Sequence, residues 1–440
     1  MSGVLEAVTH GCVSRVVGTE VELRGLRLAV GDAVEVDGRG GSRVAEVVAV
    51  DAGACRALVL GDTDGIARGD RVRPRGGRLT APVGEALVGR IVDALGRPLD
   101  GGPPIESVQD TVDAAPPAAL TRQRVHEPLP TGVRLIDTLC TIGRGQRLGL
   151  FAGSGVGKST LLAMMVRGSS AERSVIALVG ERGREVREFV EDVLGEEGRA
   201  NSVVVVATSD EPPLLRLRAA LYATRLAEVL ADGGRDVLLT LDSITRLATA
   251  QREIGLAAGE PPTSRGYPPS VFSLLPRLLE RSGPRPVGSI TAFYTVLVEG
   301  GDHDEPVADA TRAILDGHLV LDRSLSNQGR FPAIDPLASL SRLAATVTDV
   351  EQQQIATTVR AALAAAARVR DLVEVGAYVA GSDPVADAAL AHQDELDAFL
   401  TQADDEVCPS SKAWAWLADL AVRLQAASRS TAEEQPEAVA

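Results

Sequence analysis

Residues 149–162 read GLFAGSGVGKSTLL: an apolar run breaks into a glycine-rich turn and resumes as an apolar helix. In that setting successive main-chain N–H groups converge on an anion, and the positive end of the helix reinforces them. Gly153, Gly155 and Gly157 let the chain curl. Lys158 supplies a mobile point charge for β- and γ-phosphates, and Ser159 a hydroxyl for Mg²⁺. The nucleotide-binding set is therefore Gly153, Ser154, Gly155, Val156, Gly157, Lys158, Ser159 and Thr160. Ala152 stands where the pattern G-x-x-x-x-G-K-[ST] has glycine, which is harmless if it ends the strand with negative φ. The plainer alternative is a tight turn whose glycines serve packing alone.

Two further segments supply acidic groups. RDVLLTLDSITR, 235–246, is an apolar strand ending in Asp242, whose carboxylate suits the water shell of Mg²⁺ beside Ser159. Capping of the next helix is the competing role. LVGERGREVREF, 178–189, presents Glu181 at the carboxyl edge of a buried strand, where a carboxylate would orient water toward a γ-phosphate. Arg182 is placed to neutralise charge on the same phosphate. From Glu185 to Glu191 the alternating charges read as a solvated helix face.

Outward from these segments, residues 130–345 alternate apolar runs with helical patterns: QRLGLFA, SVIALVGE, SVVVVATS, DVLLTLDS, VGSITAFYTV and HLVLD. Continuous hydrophobicity implies strands buried on both faces, hence an α/β core with a parallel sheet. Before it, VVGTEVEL, DAVEV, RVAEVVAV and CRALVLG, separated by glycine and aspartate turns, predict a small closed β-barrel over residues 1–82. The stretch 96–117 reads as a surface connector. After it, alanine-rich runs predict a helical domain over 346–426 and a disordered tail over 427–440. The nucleotide-binding core then spans 83–345.

The chain has 440 residues, a net charge of -15 and 3% aromatics. That balance disfavours a nucleic-acid partner. Four scattered cysteines fit neither a zinc site nor a disulfide framework and point to a reducing, cytoplasmic compartment. No signal-peptide pattern opens the chain, and no apolar run is long enough to span a bilayer.

The strings VGRIVDALGRPLDG (88–101), GRGQRLGLFAGSGVGKS (143–159), GERGREVREF (180–189), LDSITRLATAQREIGLAAGEPP (241–262), FPAIDPLASLSR (331–342) and GAYVAGSDP (376–384) together resemble the flagellar and type III secretion export ATPases, relatives of rotary ATP synthase catalytic subunits. The resemblance runs from about residue 10 to 425, and that family commonly carries alanine at the position of Ala152. It implies a homohexamer with ATP sites between subunits, and a RecA-type P-loop core between barrel and helical domain. Glu181 would be the catalytic glutamate and Arg342 an arginine finger reaching a neighbour's γ-phosphate; by spacing alone Arg342 is an ordinary surface arginine. Phe331 would stack on adenine, or else serve as one more core aromatic. Residues 252–270 would face a central channel and a coiled-coil stalk protein.

Further implied partners are a stator-like regulatory protein, export-gate membrane proteins at the inner membrane, export substrates and their chaperones. Relatives usually carry an amphipathic segment before the barrel, whereas here the barrel begins almost at once, so regulation and membrane recruitment transfer least directly. The expected activity is Mg²⁺-dependent ATP hydrolysis driving flagellar protein export. Alternatives are a virulence-type secretion ATPase, a rotary ATPase subunit and an RNA-dependent hexameric helicase.

Overall fold

The computed structural model of the protein describes residues 10–298 and 305–433. Its first unit is a closed barrel of β1 (Gly11–Val17), β2 (Glu20–Arg24), β3 (Ala33–Gly38), β4 (Gly41–Asp51), β5 (Ala54–Val59) and β6 (Arg71–Pro74), paired in the order β1-β2-β5-β4-β3-β6. Alternation drives it: Val13, Val21, Leu23, Val34, Val36, Val47, Val59 and Val72 point inward and fill the barrel. Bulges at Val13/Arg15 in β1 and Val47/Ala49 in β4 bend long strands around the closure. The run VVGTEVEL holds the end of β1, the Gly18–Thr19 turn and most of β2. β6, with the sequence RVRP, is too short and too charged to signal itself.

The segment after the barrel does more than connect. β7 (Thr80–Val83) pairs with β9 (Val108–Thr111), and between them β8 (Ile91–Asp93) joins the edge of the main sheet, parallel to β12 (Ser202–Thr208). Arg90 clamps the intervening turn, its Nε 2.6 Å from Asp100 Oδ2 and its Nη2 2.9 Å from Oδ1.

The remaining strands are β10 (Arg147–Ala152), β11 (Arg173–Glu181), β13 (Asp236–Asp242), β14 (Gly283–Pro284), β15 (Ser289–Leu297), β16 (Gly317–Leu321) and β17 (Leu340–Ser341). They run in the order β17-β16-β10-β15-β13-β11-β12-β8, with β14 beside β15. The six long apolar runs are its parallel centre, and only β14 and β17 pair antiparallel. Helices Pro213–Asp232, Ile244–Ala257 and Pro269–Leu279 cover one face. Helices Arg134–Leu139 and Lys158–Gly168 cover the other, together with the C-terminal helices. This is the doubly covered arrangement that continuous hydrophobicity demands.

The barrel rests on the core through Leu58 against Leu214 and Ile254. At the other end, Asp349 and Gln352 form a reciprocal cap for helix Val350–Glu374. Helix Ser410–Glu433 continues through the first half of the stretch expected to be a disordered tail, 427–433; 434–440 lie outside the described residues, as do 1–9 ahead of the barrel.

Candidate active site

Strands β10, β15, β13 and β11 lie side by side and end at the same sheet edge, so the segments that follow them meet although far apart in sequence. β10 runs into the glycine turn and helix Lys158–Gly168, as the opening stretch predicts. Gly155 and Gly157 take φ of 75° and 86°, whereas Ala152 is not left-handed and ends the strand as a non-glycine residue can. The turn rims a cavity of about 510 Å³ lined by Gly153, Ser154, Gly155, Gly157, Lys158, Ser159 and Thr160. The Val156 side chain instead packs into the core, leaving its main chain for a ligand.

Glu181 and Asp242, at the ends of β11 and β13, enter the same cavity. Gly180, at φ 72°, interrupts the β11–β12 register and turns Glu181 inward. A Cβ at Gly180 would come within 3.1 Å of the Arg246 stem, so glycine also lets that arginine lie against the strand end. Lys158 Nζ bonds to Asp242 Oδ1 and lies 3.5 Å from Glu181 Oε1. Arg246 Nη2 sits 3.3 Å from Glu181 Oε2. Thr295 Oγ1, one strand over, donates to Asp242 Oδ1 at 2.7 Å.

Burial is the largest influence on Glu181 and, together with a hydrogen bond to Glu185, pushes its carboxyl up to about 7. Lys158 and Arg246 pull the other way without cancelling it. Glu185 is held below its ordinary value by the same hydrogen bond. Glu185 therefore belongs to the cavity, which corrects its reading as part of a solvated face. That reading suits its neighbours, where Arg184–Glu188 and Arg187–Glu191 are exposed pairs four residues apart.

Arg182 lines the cavity mouth with its side chain 76% exposed and 3.3 Å from Glu185. Phe331 is 43% exposed, its ring 3.5 Å from where a Cβ on Gly157 would stand. Arg342 lies elsewhere: its N–H donates to Asp316 O at 3.0 Å, at the amino end of β16, while Ala152 pairs with Leu321 at the carboxyl end. Five residues of strand separate them, roughly 16 Å, so Arg342 does not reach its own chain's cavity. Arg246 and Thr295 escape sequence reading altogether. Arg246 lies in the first turn after Asp242, which is a weak signal, and Thr295 is one more residue of a buried strand.

A lysine-bearing phosphate loop facing two strand-end carboxylates across a parallel sheet defines a P-loop nucleotide hydrolase. Residues 13–76 match the beta-barrel domain of the ATP synthase alpha/beta family, 132–341 its nucleotide-binding domain, and 348–419 the C-terminal domain of the type III secretion EscN ATPase. The chain is 47% identical to the flagellum-specific ATP synthase of Bacillus subtilis over 90% of its length and 92% of the relative's. It is 48% identical to the type 3 secretion system ATPase of Xanthomonas euvesicatoria, with 90% and 91% covered. Among solved structures, assembled EscN from enteropathogenic E. coli superposes with a TM-score of 0.87 at 41% identity, covering 93% of this chain and all of that one. A second EscN structure is a complex with its central stalk EscO. The chain belongs to the family of flagellar and type III secretion ATPases and is an ATPase. Among the described residues no helix is long and apolar enough to cross a membrane.

Proposed function

We propose that the protein hydrolyses Mg²⁺–ATP to energise flagellar protein export, as a homohexamer whose sites are completed by the adjacent subunit. The observation that carries this reading is the convergence of Lys158, Glu181 and Asp242 on one cavity while Arg342 stands at the far end of the sheet. Phosphates bind the N–H groups of residues 153–160 and the start of helix Lys158–Gly168, and Lys158 shifts from the carboxylates to the β- and γ-phosphates. Phe331 offers its ring to adenine.

The donor set suits Mg²⁺. Ser159 and Asp242 present a hydroxyl and a carboxylate, and this ion keeps several waters while taking only one or two protein oxygens plus phosphate. Bound there, the ion would neutralise negative charge on the nucleotide phosphates. Glu181, held by Arg246, accepts a hydrogen bond from the attacking water and orients it in line with the γ-phosphorus. The new P–O bond forms as the bond to the β–γ bridging oxygen breaks, and the water proton leaves with phosphate. Arg342 of one subunit stabilises the charge at its neighbour's γ-phosphate, with Arg182 as a second cation at the mouth.

The cycle would drive release of export substrates from chaperones and their delivery to export-gate membrane proteins. A central coiled-coil stalk would lie against residues 252–270, where helix Ile244–Ala257 ends and a loop leads into helix Pro269–Leu279, and a stator-like regulatory protein would recruit the assembly to the inner membrane from the cytoplasm. The net charge of -15 supports a role without nucleic acid. Deleting the gene and complementing with wild type or Glu181→Gln tests the reading. Filaments should return only with wild type; filament assembly in the uncomplemented deletion, or full rescue by Glu181→Gln, refutes it.

A further inference from the structure

The segment 331–342 links two places that matter. It begins at Phe331, beside this chain's own phosphate loop, and ends at Arg342, and the C-terminal domain holds it along the way. Gln402 N–H donates to Phe331 O at 2.8 Å. Arg360, midway along helix Val350–Glu374, sends Nη1 to Pro336 O at 2.6 Å and Nη2 to Ser339 O at 3.4 Å. The same Nη2 reaches Leu139 O at 2.6 Å and Cys140 Sγ at 3.4 Å. All four acceptors are neutral, so the planar fork acts as a geometric clamp joining the segment after Phe331 to the end of helix Arg134–Leu139.

Two residues beyond the clamp, Ser341 Oγ accepts from Gln146 Nε2 at 3.0 Å. Gln146 is fully buried and also donates to Asp316 O, the carbonyl that receives the N–H of Arg342. The backbone from which Arg342 projects is thus fixed on the core side by Gln146 and on the C-terminal side by Arg360.

We propose that Arg360 is a positioning residue for the neighbouring subunit's reaction, setting the place of Arg342 through the carbonyls of Pro336 and Ser339. The proposal rests on the reading of Arg342 as a finger acting in trans. In the proposed mechanism Arg360 touches neither nucleotide nor the attacking water; its effect is carried by the segment 336–342 that it grips. Lysine, with a point charge on a flexible stem, cannot bridge both segments in the same plane.

Arg360→Met keeps the apolar stem and removes the fork. Its kcat should fall about tenfold, the scale of one or two lost net hydrogen bonds, with nucleotide affinity of its own site within about twofold of wild type. Arg360→Lys should fall between the two and also serves if the methionine variant does not fold. The decisive measurement mixes subunits. Combined with Glu181→Gln subunits, whose finger and clamp are intact, Arg360→Met subunits should regain activity toward about a quarter of wild type, the share of interfaces joining an intact site to an intact finger.

Arg342→Ala mixed with Glu181→Gln is the control. Recovery there without recovery for Arg360→Met, or with the lysine variant in its place, overturns the clamp and leaves the finger standing. No recovery in either mixture overturns the trans finger itself, and the clamp with it. Wild-type turnover in Arg360→Met alone also overturns the proposal.

Discussion

Replacing Glu181 by Gln removes a charge from a place where the fold holds it poorly. Burial and the hydrogen bond with Glu185 raise the carboxyl from 4.5 to about 7 despite Lys158 and Arg246 nearby. Below pH 4.5 both folded and unfolded chains carry the proton, and the site costs nothing. Between there and about 7 the unfolded chain releases its proton while the native one keeps it, so stability is lost as pH rises. Above 7 the loss is complete, on the order of 3 kcal/mol. The Gln variant avoids it. Urea unfolding of nucleotide-free protein should show the variant gaining over wild type, with the gain at about pH 8 exceeding that at about pH 5.5 by roughly 2 kcal/mol. The same variant should bind ATP yet lose turnover by about 10²–10⁴. A gain that does not change with pH, or a variant less stable than wild type at the higher pH, refutes the desolvation argument; undiminished turnover removes Glu181 from the mechanism.

Wild-type kcat/KM should rise through a limb near pH 7 in the free enzyme as Glu181 ionises, and a flat profile from about pH 6 to 8 counts against it. Lys158→Ala should weaken ATP binding measured by equilibrium titration; wild-type affinity would remove the loop from the site. Arg342→Ala should bind ATP but turn over about 10³–10⁵ more slowly, and wild-type rate should climb more steeply than linearly with protein concentration. A strictly linear dependence at dilutions where the protein is monomeric sinks the shared site. Away from the cavity, Glu228 pairs with Arg281, both side chains 2% exposed, at 2.8 Å. Glu228→Gln should cost about 3–5 kcal/mol in urea unfolding, because the guanidinium stays buried without its counter-charge; a loss under about 1 kcal/mol refutes that accounting.

The parts of this molecule legible in sequence are those where one local rule decides. Five strands announce themselves because burial on both faces makes them uninterrupted, whereas β16 alternates buried and half-buried residues; the glycine turn is legible because a strand, a turn and a helix sit in order. β8 does not: it is three residues inside a glycine- and proline-rich stretch, and only pairing with β12 makes it a strand. Glu181 and Asp242 are legible as strand-end carboxylates, but their partners Arg246 and Thr295 are chosen by the order of strands in the sheet, which no window of sequence contains. Glu185 misleads because its helix does carry solvated charge pairs on either side of it, Arg184–Glu188 and Arg187–Glu191. Arg342 has no local signal, since nothing within its own chain touches it in the role proposed.

Lys158 bonded to Asp242 and close to Glu181 has a consequence for how the cavity fills and empties. Without nucleotide, Lys158 is the direct counter-ion of Asp242 and lies close to Glu181, which also pairs with Arg246. If Lys158 moves to the phosphates as proposed, Asp242 loses its counter-ion just as a polyanion arrives, and a divalent ion entering with the nucleotide would replace it. Cation and nucleotide should therefore enter as one unit, and each should hold the other in place. Stripping the metal with a chelator should then eject ATP from a loaded site, returning the lysine to its carboxylates.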